Sequence, residues 1–446
     1  MPDSTKQRPN ILYIHTHDIG RYVQPHGYAI PTPHIQALAE EGVLFRQAFC
    51  ANPTCSASRS TLLTGMYPHN NGMTGLAHRG WSLNDYGQHI IHTLKPAGYT
   101  AILTGVQHIA SHDQGEPWDV IGYDRWLGGD APHEHAAEFL ASSPDEPFFL
   151  SVGFSDTHRE FGPVTDAGDP RYVRPPEPIP DTSETREDMA RFMTSAREVD
   201  RKMGVVFDAL DESPLAEDTL VICTADHGIA FPRMKCNLTD GGTGVMLIMR
   251  GPGGFTGGRV VDSLVGHIDI FPTLCDLLGI APPAWLQGVS LMPLIRGEAE
   301  HVRDEIFTEV NYHAAYEPMR AIRTRRWKYI RRFEDRDGPV LPNVDDGPSK
   351  SLWLEHGWAE MKPDEEMLYD LIFDPNEAHN LADDPRAEEV LDDLRARLNA
   401  WMLATDDPLL KGRVPAPEGA VVNDPDGLSP QERPKPARKP ATTPKP

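Results

Sequence analysis

The segment Asn10-Ile11-Leu12-Tyr13-Ile14-His15-Thr16-His17-Asp18 joins a short apolar run to a polar end rich in metal-ligating residue types. Residues 10–14 suit a buried strand, and His15, His17 and Asp18 then fall at its carboxyl end. The pattern recurs along the chain. Thr100–Thr104 reads as a strand followed by Gln107 and His108. Phe148–Phe154 precedes Asp156, His158 and Arg159, and Thr219–Cys223 precedes Asp226 and His227. A fifth strand is predicted at Met246–Met249. Helical patterns separate these runs. Thr32 can cap a helix with Pro33 at its first position, Ile35, Leu38 and Ala39 on one face, and Gly42 at its end. Ile90, Ile91 and Leu94 mark another helix that ends near Gly98. From 185 to 211, Met189, Phe192, Met193, Ala196, Val199, Met203, Val206, Phe207 and Leu210 recur at three- and four-residue steps, the mark of a long amphipathic helix. Strands alternating with helices predict an α/β fold with a largely parallel sheet. Ligands of open α/β sheets bind beyond the carboxyl ends of the strands. A single Asp or His there can be a cap or a surface group, but four strands ending this way predict one composite site.

The character of the chain changes after residue 300. Glu305–Val310, Met319–Thr324 and Trp327–Arg331 are short strand-like runs close together, as in a small antiparallel sheet, and a helix follows at Arg386–Leu403. From Pro415 the chain is rich in Pro, Lys, Asp and Thr with almost no large apolar residues, a composition that predicts disorder. The expected organisation is a catalytic domain at 1–300, an α+β subdomain at 301–411 packed on it, and a disordered tail at 412–446.

Composition narrows the function classes. Among 446 residues, 39% are hydrophobic and 24% charged, the ordinary globular range. Lysine and arginine number 42 against 66 acids, a net charge of −24. Such a surface repels nucleic acid and anionic lipid. An anionic substrate would therefore need a local positive patch. No apolar run approaches the roughly 20 residues of a membrane span. The polar start, Met1 to Asn10, shows no signal peptide, and five scattered cysteines without a CxxC pair fit a reducing, cytoplasmic setting.

The densest local signal is Cys55-Ser56-Ala57-Ser58-Arg59, continuing Ser60-Thr61-Leu62-Leu63-Thr64-Gly65. A cysteine opening a helix can have a lowered thiol pKa and act as a nucleophile; a buried inert cysteine is the alternative. The segment resembles the type I sulfatase signature, Cys-x-Pro/Ala-x-Arg followed by a Leu-Thr-Gly helix. Further segments are similar to that family in the same order: Thr32-Pro33-His34 through Phe45-Arg46-Gln47-Ala48-Phe49, Tyr67-Pro68-His69-Asn70-Asn71-Gly72, Ala225-Asp226-His227-Gly228, His267 through Leu274, Gly288-Val289-Ser290-Leu291, Trp327-Lys328-Tyr329, and Leu368-Tyr369-Asp370 through Asp374-Pro375. Ser155-Asp156-Thr157-His158-Arg159, Phe231 through Asn237 and Asn71-Gly72-Met73 look most like the heparan N-sulfatase (sulfoglucosamine sulfohydrolase) branch.

The resemblance implies an alkaline-phosphatase-like sandwich, a large mostly parallel sheet between helices, with a small C-terminal antiparallel sheet. It implies a sulfuric ester or sulfamate hydrolase that releases inorganic sulfate from a small sulfated sugar or related ester. Cys55 would be oxidised to Cα-formylglycine by a formylglycine-generating enzyme, and its hydrate would be the nucleophile. A divalent cation would be held by Asp18, Asp226, His227 and residue 55, with His17 either a further ligand or a hydrogen-bond partner of Asp18. Calcium is usual in the family, while two histidines would suit manganese or zinc. Arg59, one helical turn after Cys55, would hold the hydrate, and Lys235 would neutralise sulfate oxygens. His158 would protonate the leaving group, His108 would take the proton whose loss expels sulfate, and Arg159 would touch the substrate anion. Asp156 is read either as an orienting acid or as a ligand. The chain departs from the family pattern at His17, where an acid is usual, and at Val106, where a lysine is usual. Ala57 stands where the recognition sequence for conversion usually has proline. Two alternatives stand beside this reading: a phosphate or phosphonate ester hydrolase of the same superfamily, and an unmodified non-catalytic relative.

Overall fold

The computed structural model describes residues 8–145, 147–165 and 168–436. Its main sheet has eight strands: β1 (Asn10–Thr16), β2 (Val43–Phe49), β3 (Thr100–Gly105), β4 (Arg125–Trp126), β5 (Phe148–Phe154), β6 (Thr219–Ala225), β7 (Leu247–Arg250) and β8 (Arg259–Gly266). Their order is β4-β3-β5-β1-β6-β7-β2-β8. β7 runs antiparallel to both neighbours, and every other pairing is parallel. The strand expected at 246–249 is thus present one residue later and reversed. β2, β4 and β8 carry no clean periodicity and were not anticipated as strands. β2 breaks the apolar pattern with Arg46 and Gln47, and β8 begins with four residues that are not buried.

The central strands β1, β5 and β6 are buried along their whole lengths. Strands covered on both faces need continuous apolar runs, which is why these three were legible. Helices enclose the sheet. The long helix Ser183–Asp211 (α4) packs with α1 (Pro33–Glu41) and α3 (Pro132–Ala141), while α2 (Cys55–Thr64) packs with α5 (Ile270–Leu278). Thr182 caps α4 reciprocally with Thr185. No helix of the described residues is long and apolar enough to cross a membrane.

A second sheet, β12-β11-β10-β9, is wholly antiparallel: β9 (Glu305–Tyr312), β10 (Tyr316–Thr324), β11 (Trp327–Arg332) and β12 (Glu366–Asp370). Alternation divides its faces. Ile322, Tyr329 and Leu368 meet Leu391, Leu394, Leu398 and Trp401 of the helix Glu388–Ala404, while Val310, Met319, Ala321 and Ile330 pack with Leu238 of the larger domain.

The expectation of disorder after residue 412 is corrected for 412–436; residues 437–446 lie outside the described residues. Val414 and Ala420 are buried. The Val414 carbonyl accepts from the Tyr312 hydroxyl (2.7 Å), the Asn423 amide N–H donates to the Ala314 carbonyl (2.8 Å), and Arg79 donates to Asn423 Oδ1 (2.8 Å). Composition registers missing apolar area but not polar partners supplied by residues 79 and 312–314.

Candidate active site and metal centre

The register of the sheet assembles the site. Thr16 of β1 lies between Phe154 of β5 and Ala225 of β6, and Gly105 of β3 pairs with Gly153 of β5. The residues that follow, His17-Asp18, Asp156-His158, Asp226-His227 and His108, therefore emerge at one edge. β2 runs parallel to β1 and delivers the loop 50–54 to the same edge. That loop is tied down where the Cys50 amide donates to the Thr243 carbonyl (2.8 Å) and the Cys236 amide to the Pro53 carbonyl (2.9 Å). α2 then begins at Cys55 with every residue buried. Asp18 (φ 43°) and His108 (φ 60°) adopt the left-handed conformation that side chains rarely take. Such strain concentrates where geometry must be held for function.

His17, Asp18, Cys55 and Asp226 each offer one ligand atom, all within 4.8 Å of one another. His227 Nε2 stands 3.3 Å from Asp18 Oδ1, 3.3 Å from Cys55 Sγ and 3.7 Å from Asp226 Oδ1. His227 Nδ1 donates to the Gly228 carbonyl (3.0 Å), which fixes the tautomer that leaves Nε2 free to ligate. Asp18 Oδ1 is buried without a well-aligned hydrogen bond, and His17 Nδ1 lies 3.1 Å from Asp226 Oδ2. Buried acceptors of this kind are costly unless something engages them. Two carboxylates, two imidazole nitrogens and residue 55 form a donor set that fits a divalent cation.

Electrostatics keep the acids ionised. Burial pushes the Asp18 carboxyl up, but Lys235 and His227 outweigh it and hold it below the ordinary range. Asp226 is likewise held well down, against burial, by His227, Arg59 and His17. Burial, then Arg59, lowers His17 to about 4. Burial, with His17 and His78 beside it, holds His108 well below 6.5. Both rings are neutral at pH 7, the form that ligates or accepts a proton.

Arg59 and Cys55 do share a face, but the guanidinium is committed to its neighbours. Nη2 pairs with Asp226 Oδ2 at 2.9 Å, and Nη1 contacts His15 Nδ1. Lys235 Nζ bridges Asp18 Oδ2 and Asp345 Oδ2, each at 2.8 Å. The His158 ring meets His17 edge-on, with centroids 5.3 Å apart, and its Nδ1 donates to the Arg159 carbonyl (2.6 Å). His108 Nε2 lies 2.9 Å from His78 Nδ1.

Three expectations are corrected. The helix start does not lower the Cys55 thiol; burial drives its pKa well above 9, so the unmodified side chain is a poor nucleophile. Arg159 does not face a substrate anion. It forms a two-point ion pair with Asp188 (2.7 and 2.8 Å), donates to the Ala230 carbonyl (2.7 Å) and lies over the rings of Phe161 and Phe231. Asp156 is not among the ligating group and pairs with Lys202 of α4. Three residues at the site were not anticipated: His78, His313 and Asp345. His313 directly follows the strand Glu305–Tyr312, and Asp345 lies in a loop that no apolar run marks.

The chain matches the sulfatase family model over residues 9–280 and the model of the N-sulphoglucosamine sulphohydrolase C-terminal region over residues 235–352. Human N-sulphoglucosamine sulphohydrolase is 31% identical, with 91% of this chain and 90% of that protein covered. A Δ4,5-hexuronate-2-O-sulfatase of Bacteroides thetaiotaomicron is 27% identical, with 90% of each covered. Among solved structures, one bound to its substrate D-glucosamine-2-N,6-O-disulfate superposes with a TM-score of 0.70 at 18% identity, covering 90% of this chain and 99% of that one. The phosphonate monoester hydrolase of Agrobacterium radiobacter superposes at 0.67 and 22% identity, covering 97% and 100%. At those identities the structural likeness shows the fold alone. With the family model matched over residues 9–280 and a relative 31% identical across most of both chains, the chain belongs to the sulfatase family.

Proposed function

We propose that this enzyme hydrolyses a sulfamate or sulfate ester of a small sugar, with Cys55 converted to Cα-formylglycine and a divalent cation, calcium being the family's usual ion, at His17, Asp18, Asp226 and His227. The carrying observation is the convergence of residue 55 with two buried carboxylates and two imidazoles inside a few ångströms. When present, the hydrated aldehyde supplies an oxygen nucleophile for sulfur and the cation lowers the pKa of that hydroxyl.

The chain's own groups do the rest. Lys235, between Asp18 and Asp345, is the cation positioned to neutralise sulfuryl oxygens as charge develops on them. The Nδ1–H bond of His158 to the Arg159 carbonyl leaves Nε2 to carry the proton for the departing nitrogen or oxygen. Neutral His108, with Nδ1 unengaged, is the base. Arg59 orients Asp226 and offsets its charge.

The reading is tested on full-length protein from its native host. A digest is analysed by mass spectrometry for the aldehyde at residue 55, and kinetics are measured on glucosamine N-sulfate, 4-nitrophenyl sulfate and 4-nitrophenyl phosphate. Conversion with higher efficiency on the sulfur substrates is expected. An intact thiol in fully active protein, or a preference for phosphate, overturns it.

A further inference from the structure

We infer that Asp345, presented by the C-terminal subdomain, determines specificity by accepting hydrogen bonds from N–H or O–H donors beside the scissile bond, so that leaving groups bearing such donors are favoured over those without them. The inference rests on the sulfohydrolase reading above.

Asp345 lies 2.8 Å from Lys235 Nζ, which is itself 2.8 Å from Asp18. Its side chain is 13% exposed. Oδ2 is buried, and its partner is the Lys235 ammonium, which it shares with Asp18. His158 and His313 are near enough for their charge to act on the carboxyl. Lys235 holds the carboxyl ionised against the effect of burial.

The placement carries a chemical consequence. A sulfuryl group is an anion, and it must approach Lys235 where a carboxylate already stands. A sulfuryl group that draws the Lys235 ammonium to itself weakens that ammonium's hold on Asp345, so a substrate without donors meets like charge and leaves the carboxylate short of a partner. A substrate whose departing nitrogen and flanking hydroxyls present N–H and O–H groups satisfies that acceptor while its sulfuryl oxygens take the ammonium. Sites built to pair such donors reject analogues that lack them far more strongly than apolar pockets reject a missing methylene.

Asp345 cannot simply swing away. Lys350 Nζ donates to the Val344 carbonyl (2.8 Å), and Asn343 Oδ1 accepts from the Ala315 amide (2.8 Å). Ser349 Oγ donates to Asp188 (2.6 Å), the acid that grips Arg159. Gly347 lies directly on that guanidinium: a Cβ there would come within 2.4 Å of Arg159 Nη1. Arg159, next in sequence to His158, is thus a strut that fixes the loop carrying Asp345 against the segment carrying the acid.

The test uses full-length protein with verified conversion at residue 55. kcat and KM are measured for wild type, Asp345→Asn and Asp345→Ala on glucosamine N-sulfate and 4-nitrophenyl sulfate, with thermal melts as a folding control. The ratio of kcat/KM, sugar over aryl, is expected to fall about 100-fold in Asp345→Ala, chiefly through KM for the sugar, and about 10-fold in Asp345→Asn, which keeps an acceptor. If Asp345→Ala does not fold, Asp345→Asn decides. A ratio within threefold of wild type in the folded variants overturns the inference while leaving the sulfohydrolase reading intact. Converted wild type that turns over neither substrate overturns that reading and this inference with it.

Discussion

Two buried clusters of histidine and carboxylate in this molecule look alike by composition and differ in what they leave unpaired. At the sheet edge, His17, Asp18, Cys55 and Asp226 converge; at the junction with the small subdomain, His69, Glu309 and Asp407 do the same. In the second cluster the carboxylates are consumed. Arg320 holds Asp407 through both oxygens (2.6 and 2.9 Å), and Glu309 accepts from the His69 amide (2.9 Å) and the His69 ring. In the first, Asp226 accepts through both oxygens and Asp18 through Oδ2, but Asp18 Oδ1 stays without a well-aligned partner. One cluster is a rivet, and the other leaves a buried carboxylate oxygen unengaged. Proximity of ligating residue types does not separate them; the accounting of each lone pair and charge does.

This contrast can be broken at its strong end first. Cys55→Ala is expected to lower turnover of 4-nitrophenyl sulfate at least about 1,000-fold, with a melting temperature close to wild type, since a small side chain replaces a small one; activity near wild type would remove residue 55 from the chemistry. Asp226→Asn is expected to cut bound divalent metal, read by elemental analysis after gel filtration, and activity by about 100-fold. Unchanged metal content would deny its role as a ligand.

At the rivet the outcome should invert. Arg320→Met strands the buried Asp407 charge and is expected to cost about 3–5 kcal/mol of stability, measured by denaturant unfolding, without altering metal content. A variant as stable as wild type would mean the second cluster carries no structural load.

The smallest effect is in pH. Burial lowers His89 to about 3 in the fold, with His92 adding to it, while an unfolded histidine titrates near 6.5. The unfolded chain therefore binds the proton first as pH falls. The stability is present in full above about pH 6.5 and is lost progressively towards pH 3. At pH 5 the loss from this one residue is about 1–2 kcal/mol. His89→Asn keeps an acceptor for the Ile91 amide, now given by His89 Nδ1 at 3.3 Å, and should flatten the decline of melting temperature between pH 7 and 5. An unchanged slope would place the acid lability elsewhere.

The sequence alone determined the parallel core, the helical layers and most of the residues that converge at the sheet edge. A strand buried on both faces must be continuously apolar, and the first polar residues beyond it mark its end, so β1, β5 and β6 and the residues following them were readable from local pattern. Only the tertiary structure decided which charges are spent on one another. Arg159 was readable as a cation but not as the partner of Asp188, which lies on α4, 29 residues later. The thiol of Cys55 was readable at a helix start but not as fully buried. Asp345 and His313 reach the site from loops outside the main sheet, His313 just after β9. Local pattern reports burial along one segment, whereas pairing of charges depends on contacts between segments far apart in the chain, and those exist only once the two sheets have packed.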